Sequence, residues 1–252
     1  MRYVYRTLIA GEPRHVVDEK GRTRLVEGDL FGEWRAGREI SLAGAVLLPP
    51  VVPGKIVAIG LNYRDHAAER GKPLPAEPMI FLKPSTAVVG PGAPIQVPAG
   101  VGRVDHEAEV AVVVGRRATA VPAAGARAHV LGLTCINDVT ARDLQNRGVQ
   151  YSHVKGYDTF APLGPAIALD VDPGDLAVEG VVNGVVRQRS RTRELIFPVE
   201  ALIEYISGIM TLEPGDVIAT GTPSGIGPLV PGDEVVVRVE RVGELRNPVI
   251  AR

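Results

Sequence analysis

The chain has 252 residues, 45% of them hydrophobic, with 28 basic against 29 acidic side chains and a formal net charge of −1. Scattered, nearly balanced charge excludes the electrostatic footprint of a nucleic-acid or anionic-membrane binder and points to a small-molecule partner. A single cysteine, Cys135, excludes an internal disulfide framework; no apolar run approaches the roughly 20 residues that span a bilayer, and Met1–Ala10 lacks a signal-peptide layout, so the expected location is the cytoplasm.

Residues 1–50 read as a small N-terminal β segment, with short strands at Arg2–Leu8 and His15–Asp18, that ends at Pro49-Pro50. Residues 51–252 read as the main domain. Its first apolar strand, Lys55–Ile59, runs into Asn62-Tyr63-Arg64-Asp65-His66-Ala67-Ala68-Glu69. On a helix from Tyr63 to Arg70, His66 and Glu69 are i and i+3, a spacing at which a carboxylate orients an imidazole as a general base. An exposed ion pair on a surface helix fits the same spacing.

Lysine is scarce beside arginine, so Lys83 in Phe81-Leu82-Lys83-Pro84 and Lys155 in Val154-Lys155-Gly156 stand out. Both close apolar segments, where a snorkelling surface lysine is the plain alternative. Between them lies Asp105-His106-Glu107-Ala108-Glu109-Val110, acidic residues leading into a strand that continues to Val114. Strand alternation puts Asp105, Glu107 and Glu109 on one face, and carboxylates crowded together call for a cation. On spacing alone a charged, solvated strand edge is the commoner reading of E-x-E, and Asp138 changes that balance. Asp138 ends a further apolar strand, where a helix cap is its ordinary role.

Helical patterns follow at Pro122–Val130, Ala141–Arg147 and Val199–Met210, the last with Leu202, Ile203, Ile206 and Ile209 along one face. Asn183-Gly184 marks a tight hairpin between strands near Val178 and Val186. Strands recur at Val217–Thr220 and Glu234–Val239. Gly221-Thr222-Pro223-Ser224-Gly225-Ile226-Gly227 forms a glycine-rich loop whose amides suit an anion, although no phosphate-loop or dinucleotide spacing is present. The class is α+β, dominated by strands.

From about Lys55 to Asn247 these segments resemble, in order, the fumarylacetoacetate hydrolase family: Gly60 to Glu69, Phe81 to Ser85, Asp105 to Glu109, Asn137 to Gln145, Lys155 to Pro165 and Gly221 to Gly227. The resemblance implies a mixed, multilayered β-roll with few helices, and usually a homodimer. It implies Glu107, Glu109 and Asp138 as ligands of Mg²⁺, with Mn²⁺ or Ca²⁺ as alternatives, and Asp105 behind them. It implies a His66–Glu69 dyad on a mobile lid, Lys155 as the active-site lysine, and Lys83, Gln145 and Thr222 as substrate-binding residues. Tyr151 departs from the tryptophan common in the family. Fifty N-terminal residues are fewer than the barrel domain of full-length fumarylacetoacetases, which favours the short bacterial branch. That branch implies an isomerase or decarboxylase of the 2-hydroxyhepta-2,4-diene-1,7-dioate type in aromatic catabolism. Acylpyruvate-type C–C hydrolysis, oxaloacetate decarboxylation and a non-catalytic, metal-stabilised protein are the competing readings.

Overall fold

A computed structural model describes all residues, 1–252, and contains four α-helices among twenty strands. Three antiparallel neighbours, Ala108–Val114, Val130–Asn137 and Ala161–Leu169, form the centre of a 12-stranded sheet. Val217–Ala219, Ile56–Gly60 and Met79–Lys83 extend it on one side. On the other, Arg2–Ile9 pairs with Ala161–Leu169 and continues as a meander through Glu12–Glu19, Arg22–Gly28 and Trp34–Glu39.

The apolar run Val110–Val114 lacks polar alternation because both faces are covered. Val110, Val112 and Val114 enter a core shared with Val178, Val237 and Leu202, whereas Ala111 and Val113 enter another shared with Ile56, Ile136 and Ile167. Burying each such large aliphatic side chain contributes about 1.5–3 kcal/mol, so the strand is fixed from both sides. Glu107 and Glu109 share the parity of Ala111 and Val113, which places both carboxylates on one face where the strand begins.

The acidic run is not one continuous strand, as expected from its alternation. Val104–His106 belongs to a separate three-stranded sheet with Thr140–Ala141 and Gly227–Pro228, and the large-sheet strand starts only at Ala108. Glu107 is the residue at which the chain changes sheets. Its carbonyl accepts the Asp138 amide at 2.9 Å, joining the two segments that carry carboxylates.

A five-stranded sheet, ordered Val185–Arg191, Ala177–Val182, Glu234–Val239, Gly243–Ala251, Ile95–Val97, packs across the first core. Its hairpin turns at Asn183 (φ 51°) and Gly184 (φ 78°), two positive-φ positions that match the twist of the flanking strands.

The helices are α1 (Arg64–Glu69), α2 (Arg142–Asn146), α3 (Tyr151–Lys155) and α4 (Val199–Ile209). Two helical expectations change. Residues Ala123–His129 form a 3₁₀ stretch rather than an α-helix, with Gly125 inside it and Arg127 drawn to Glu200 and Asp172. In α4, Val199, Leu202, Ile203 and Ile206 are buried but Ile209 is 56% exposed, because the helix ends there and Met210 turns into extended backbone. Lys155 closes α3, a helix too short to show apolar periodicity. No helix is long and apolar enough to cross a membrane.

Candidate active site

Glu107, Glu109 and Asp138 each offer a carboxylate oxygen within 4.8 Å of the others, and all three are buried. Asp138 does not cap a helix, since α2 begins four residues later with Ala141 as its N-cap. Lys155 Nζ donates to Glu107 Oε2 at 2.7 Å and Asp138 Oδ2 at 2.5 Å. Arg142 donates to Glu107 Oε1 and to Asp105 Oδ2, and Arg103 holds the remaining Asp105 oxygen at 2.6 Å. Asp105 therefore acts on the cluster through Arg142.

The protein's own cations thus neutralise part of the cluster, and they divide it unevenly. Burial alone would push Glu107 up, but Lys155 and Arg142 outweigh it and hold that carboxyl well below the usual range. Glu109 has no basic partner. Burial, then the charges of Asp138 and Glu107, push its carboxyl well above its ordinary value, and the nearby charge of Lys155 and the Gly221 amide at 2.8 Å offset this only in part. Lys155 is raised because Asp138 and Glu107 together exceed the effect of its burial. A buried carboxylate without an ionic partner, beside two others at this spacing, fits a divalent cation with oxygen ligands.

Gly221 is required where it stands. Its φ is +103°, and a Cβ there would lie 2.7 Å from Asn62 Cβ. Asn62 in turn accepts from Phe197 N and donates to Thr220 O and Phe197 O, which holds the turn after Ile56–Gly60. Leu61, in that turn, has φ +48°, a strained conformation for a non-glycine residue that these bonds maintain.

That turn delivers α1. The helix has one buried face, formed by His66 and Ala67 next to the buried cap residue Tyr63, while Arg64, Ala68 and Glu69 are exposed. Glu69 Oε2 accepts from His66 Nδ1 at 2.9 Å, and Glu69 Oε1 accepts from the Gly225 amide at 3.0 Å. A carboxylate only accepts, so the imidazole hydrogen is on Nδ1 and Nε2 is the basic nitrogen. The glycine-rich loop does meet anions, but they are the chain's own Glu109 and Glu69.

A cleft of about 210 Å³ brings His66, Glu107, Glu109, Gln145, Lys155 and Thr222 onto one surface. Gln145 Oε1 accepts from Arg142. Thr222 Oγ1 donates to Ala108 O at 3.0 Å and accepts from Gln188 Nε2 at 2.7 Å, so its hydroxyl is engaged on both sides. Lys83 does not line the cleft: its ammonium donates to Asp138 Oδ1 and to Phe160 O at 2.7 Å, and its side chain is wholly buried. The expectation of a substrate-binding Lys83 meets a lysine that holds Asp138. Tyr151 lines the cleft and packs edge-on against Phe81, whose ring also lies 5.2 Å from Lys155 Nζ.

Four lining or supporting residues escaped the sequence reading. Arg142 and Gln188 look like surface residues of an arginine-rich chain, and Arg70 and Lys72 like a solvated loop. Among them only Gln188 carries a local signal: in Val185-Val186-Arg187-Gln188-Arg189-Ser190-Arg191 strand alternation sets it on the face opposite three arginines, and it is the one buried position of that strand.

A family model described as fumarylacetoacetate (FAA) hydrolase C-terminal matches residues 55–250. A mitochondrial oxaloacetate tautomerase of Bos taurus, FAHD2A, is 43% identical over 216 residues, 81% of this chain and 69% of that one. The crystal structure of a 2-hydroxyhepta-2,4-diene-1,7-dioate isomerase from Mycobacterium marinum is 42% identical with a TM-score of 0.91, covering 100% of this chain and 99% of that one. A maleylpyruvate hydrolase from Sphingobium sp. SYK-6, solved with manganese(II) and pyruvate, is 30% identical with a TM-score of 0.82 over 100% and 99% of the two chains.

Proposed function

The chain belongs to the fumarylacetoacetate hydrolase family, and from that membership and the cleft we propose that it is a divalent-metal enzyme acting on a small dicarboxylic 2-oxo acid or its 2-hydroxydienoic enol. Isomerisation or decarboxylation of the 2-hydroxyhepta-2,4-diene-1,7-dioate type is the favoured reaction, within aromatic catabolism. We take residues 51–252 as the catalytic unit, residues 1–50 as an accessory β segment, and the working form as a cytoplasmic homodimer. The observation that carries the reading is a cleft in which an imidazole whose free nitrogen is fixed by Glu69 meets Glu107 and Glu109, two members of a buried carboxylate triad completed by Asp138.

Glu107, Glu109 and Asp138 would hold the ion, with Mg²⁺ suited to all-oxygen ligation and Mn²⁺ or Ca²⁺ as substitutes. Bound there, it supplies Lewis-acid stabilisation of negative charge on the substrate's 2-oxygen. Lys155 and Lys83 fix the ligand oxygens, and Lys155 keeps a third N–H for the cleft. Arg142 and Gln145 line the wall beside the triad. His66 Nε2 exchanges the proton that relocates the double bond, while Glu69 supports the imidazolium that results. The dicarboxylate preference rests on Arg70 and Lys72, which line the cleft from the segment after α1 and form no ion pair.

A second reading, C–C hydrolysis, draws support from the manganese- and pyruvate-containing maleylpyruvate hydrolase. Incubation of oxaloacetate, a 2-hydroxydienedioate and acetylpyruvate with and without Mg²⁺, followed by NMR, separates the outcomes. Moved double bonds or CO₂ released from the 2-hydroxydienedioate support the favoured reaction, CO₂ from oxaloacetate beyond a control with Mg²⁺ alone supports oxaloacetate decarboxylation, and two carbon fragments support hydrolysis. Absence of metal-dependent turnover of every 2-oxo acid would overturn the proposal and leave a non-catalytic, metal-stabilised protein.

A further inference from the structure

Gln188 lies on Val185–Arg191 in the five-stranded sheet, has no exposed surface, and does not line the cleft. Its amide is nevertheless fully used. Oε1 accepts from His106 Nδ1 at 2.9 Å and from Ala108 N at 2.9 Å. Nε2 donates to Thr222 Oγ1 at 2.7 Å and to Pro223 O at 2.8 Å. An amide has two acceptor sites and two hydrogens, so all four are satisfied. The orientation is unambiguous, because a flipped amide would set hydrogens against the Ala108 N–H and oxygen against the Pro223 carbonyl.

The partners of each end give this arrangement its meaning. His106 and Ala108 immediately flank Glu107, at the point where the chain changes sheets. Thr222 and Pro223 follow Gly221, whose amide holds Glu109. Thr222 Oγ1 also donates to Ala108 O, closing a ring through Gln188, Thr222 and Ala108. When the Thr222 hydrogen turns toward a substrate, the Ala108 bond is lost and Gln188 becomes the side chain that fixes Oγ1.

We propose that Gln188 is a positioning residue: one buried amide sets the spacing between the carboxylate segment around Glu107 and the substrate-facing loop at Thr222. This rests on the functional reading above, and its two ends make separable predictions. Gln188→Met has similar length and removes both arms. Gln188→Glu keeps an oxygen for His106 and Ala108 but loses both donated hydrogens: its carboxylate repels Pro223 O and can only accept from Thr222 Oγ1, which draws that hydroxyl from Ala108 O and disturbs the Thr222 arm while the other stays.

The measurements are the affinity of the metal-free protein for Mn²⁺ and that of the Mn²⁺-loaded protein for oxalate, both by calorimetry, with thermal melting alongside. Gln188→Met is expected to weaken Mn²⁺ roughly 10–100-fold, the usual effect of losing a group that orients a ligand, and to weaken oxalate as well. Gln188→Glu is expected to keep Mn²⁺ affinity within about three-fold while oxalate weakens about ten-fold or more. A merely structural role would lower both melting temperatures without separating the two affinities. If Gln188→Met does not fold, Gln188→Glu decides alone: weakened oxalate with retained Mn²⁺ supports the assignment, and equal change in both or in neither overturns it. Wild-type protein that binds no Mn²⁺ would sink the functional reading together with this one, whereas binding by wild type that both variants match would sink only the role of Gln188.

Discussion

Replacing Glu109 by glutamine should stabilise the metal-free protein and at the same time abolish most of its response to metal. Glu109 is 1% exposed and has no basic partner, so its ionised form is the costly member of the cluster. Its carboxyl is raised in the folded chain, which therefore binds more protons than the unfolded chain above pH 4.5, the unperturbed value. Glu109's own contribution to the stability of the metal-free wild type therefore falls as pH rises through that window, and comparison with the variant isolates it from the buried His15 and His106, which are lowered and act in the opposite sense. The amide of the Glu109→Gln variant has no proton to lose, can still accept from the Gly221 N–H, and turns an NH₂ toward neighbouring carboxylates. With metal the order reverses. An ion at a hundred times its Kd adds about 2.7 kcal/mol to the wild type, a rise of roughly 5–11 °C for a chain of this size. If loss of the ligand raises Kd about 100-fold, the same concentration adds only about 0.4 kcal/mol, or roughly 1–2 °C. Melting curves in EDTA and in MnCl₂, at pH 5 and pH 8, test both halves. The variant should melt above wild type in EDTA at pH 8, by a margin that shrinks toward pH 5. A variant less stable than wild type in EDTA at pH 8, or one with an undiminished Mn²⁺ shift, refutes the account of the triad.

Three further outcomes are expected. His66→Ala should lower kcat by roughly 10²–10⁴-fold with Mn²⁺ affinity unchanged, and Glu69→Ala should change kcat in the same direction; full activity of His66→Ala on every 2-oxo acid turned over would end the dyad assignment. The double variant Arg70→Gln/Lys72→Gln should raise KM for dicarboxylic substrates about ten-fold or more and leave acetylpyruvate nearly unchanged, with added salt reducing the wild-type preference; parallel changes for both substrates would count against a role in recognising a second carboxylate. Sedimentation at micromolar concentration should give a dimer mass, and a monomer would contradict the homodimer proposal.

The legibility of the site in the sequence followed the range of the interactions. Glu107 and Glu109 were readable as a pair because a strand repeats every two residues. The hairpin at Asn183-Gly184 was readable because its chemistry is local. Asp138 was visible as a strand end, but its approach to Glu107 depends on two bends of chain that no periodicity reports. Lys83 stood out because lysine is scarce, but its contacts were not legible: only the position of Asp138 explains its complete burial. Gln188 is separated by 80 residues from Ala108 and by 34 from Thr222, so its fourfold bonding is a product of sheet packing. Ile209 continued an apolar face on paper, yet the helix stops at that residue and leaves it in solvent.

The cleft has a floor and a roof of different construction. Glu107, Glu109 and Lys155, the last bonded to Asp138 outside the lining, come from buried segments, whereas Arg70 and Lys72 project from an exposed stretch. Most substitutions in the floor leave an uncompensated charge in the interior and lower stability, so the floor has few neighbours in sequence space. The roof can exchange side chains at little expense to folding. Descent with altered substrate preference therefore has an open route through the residues after α1, while the apparatus that holds charge at the triad stays the same.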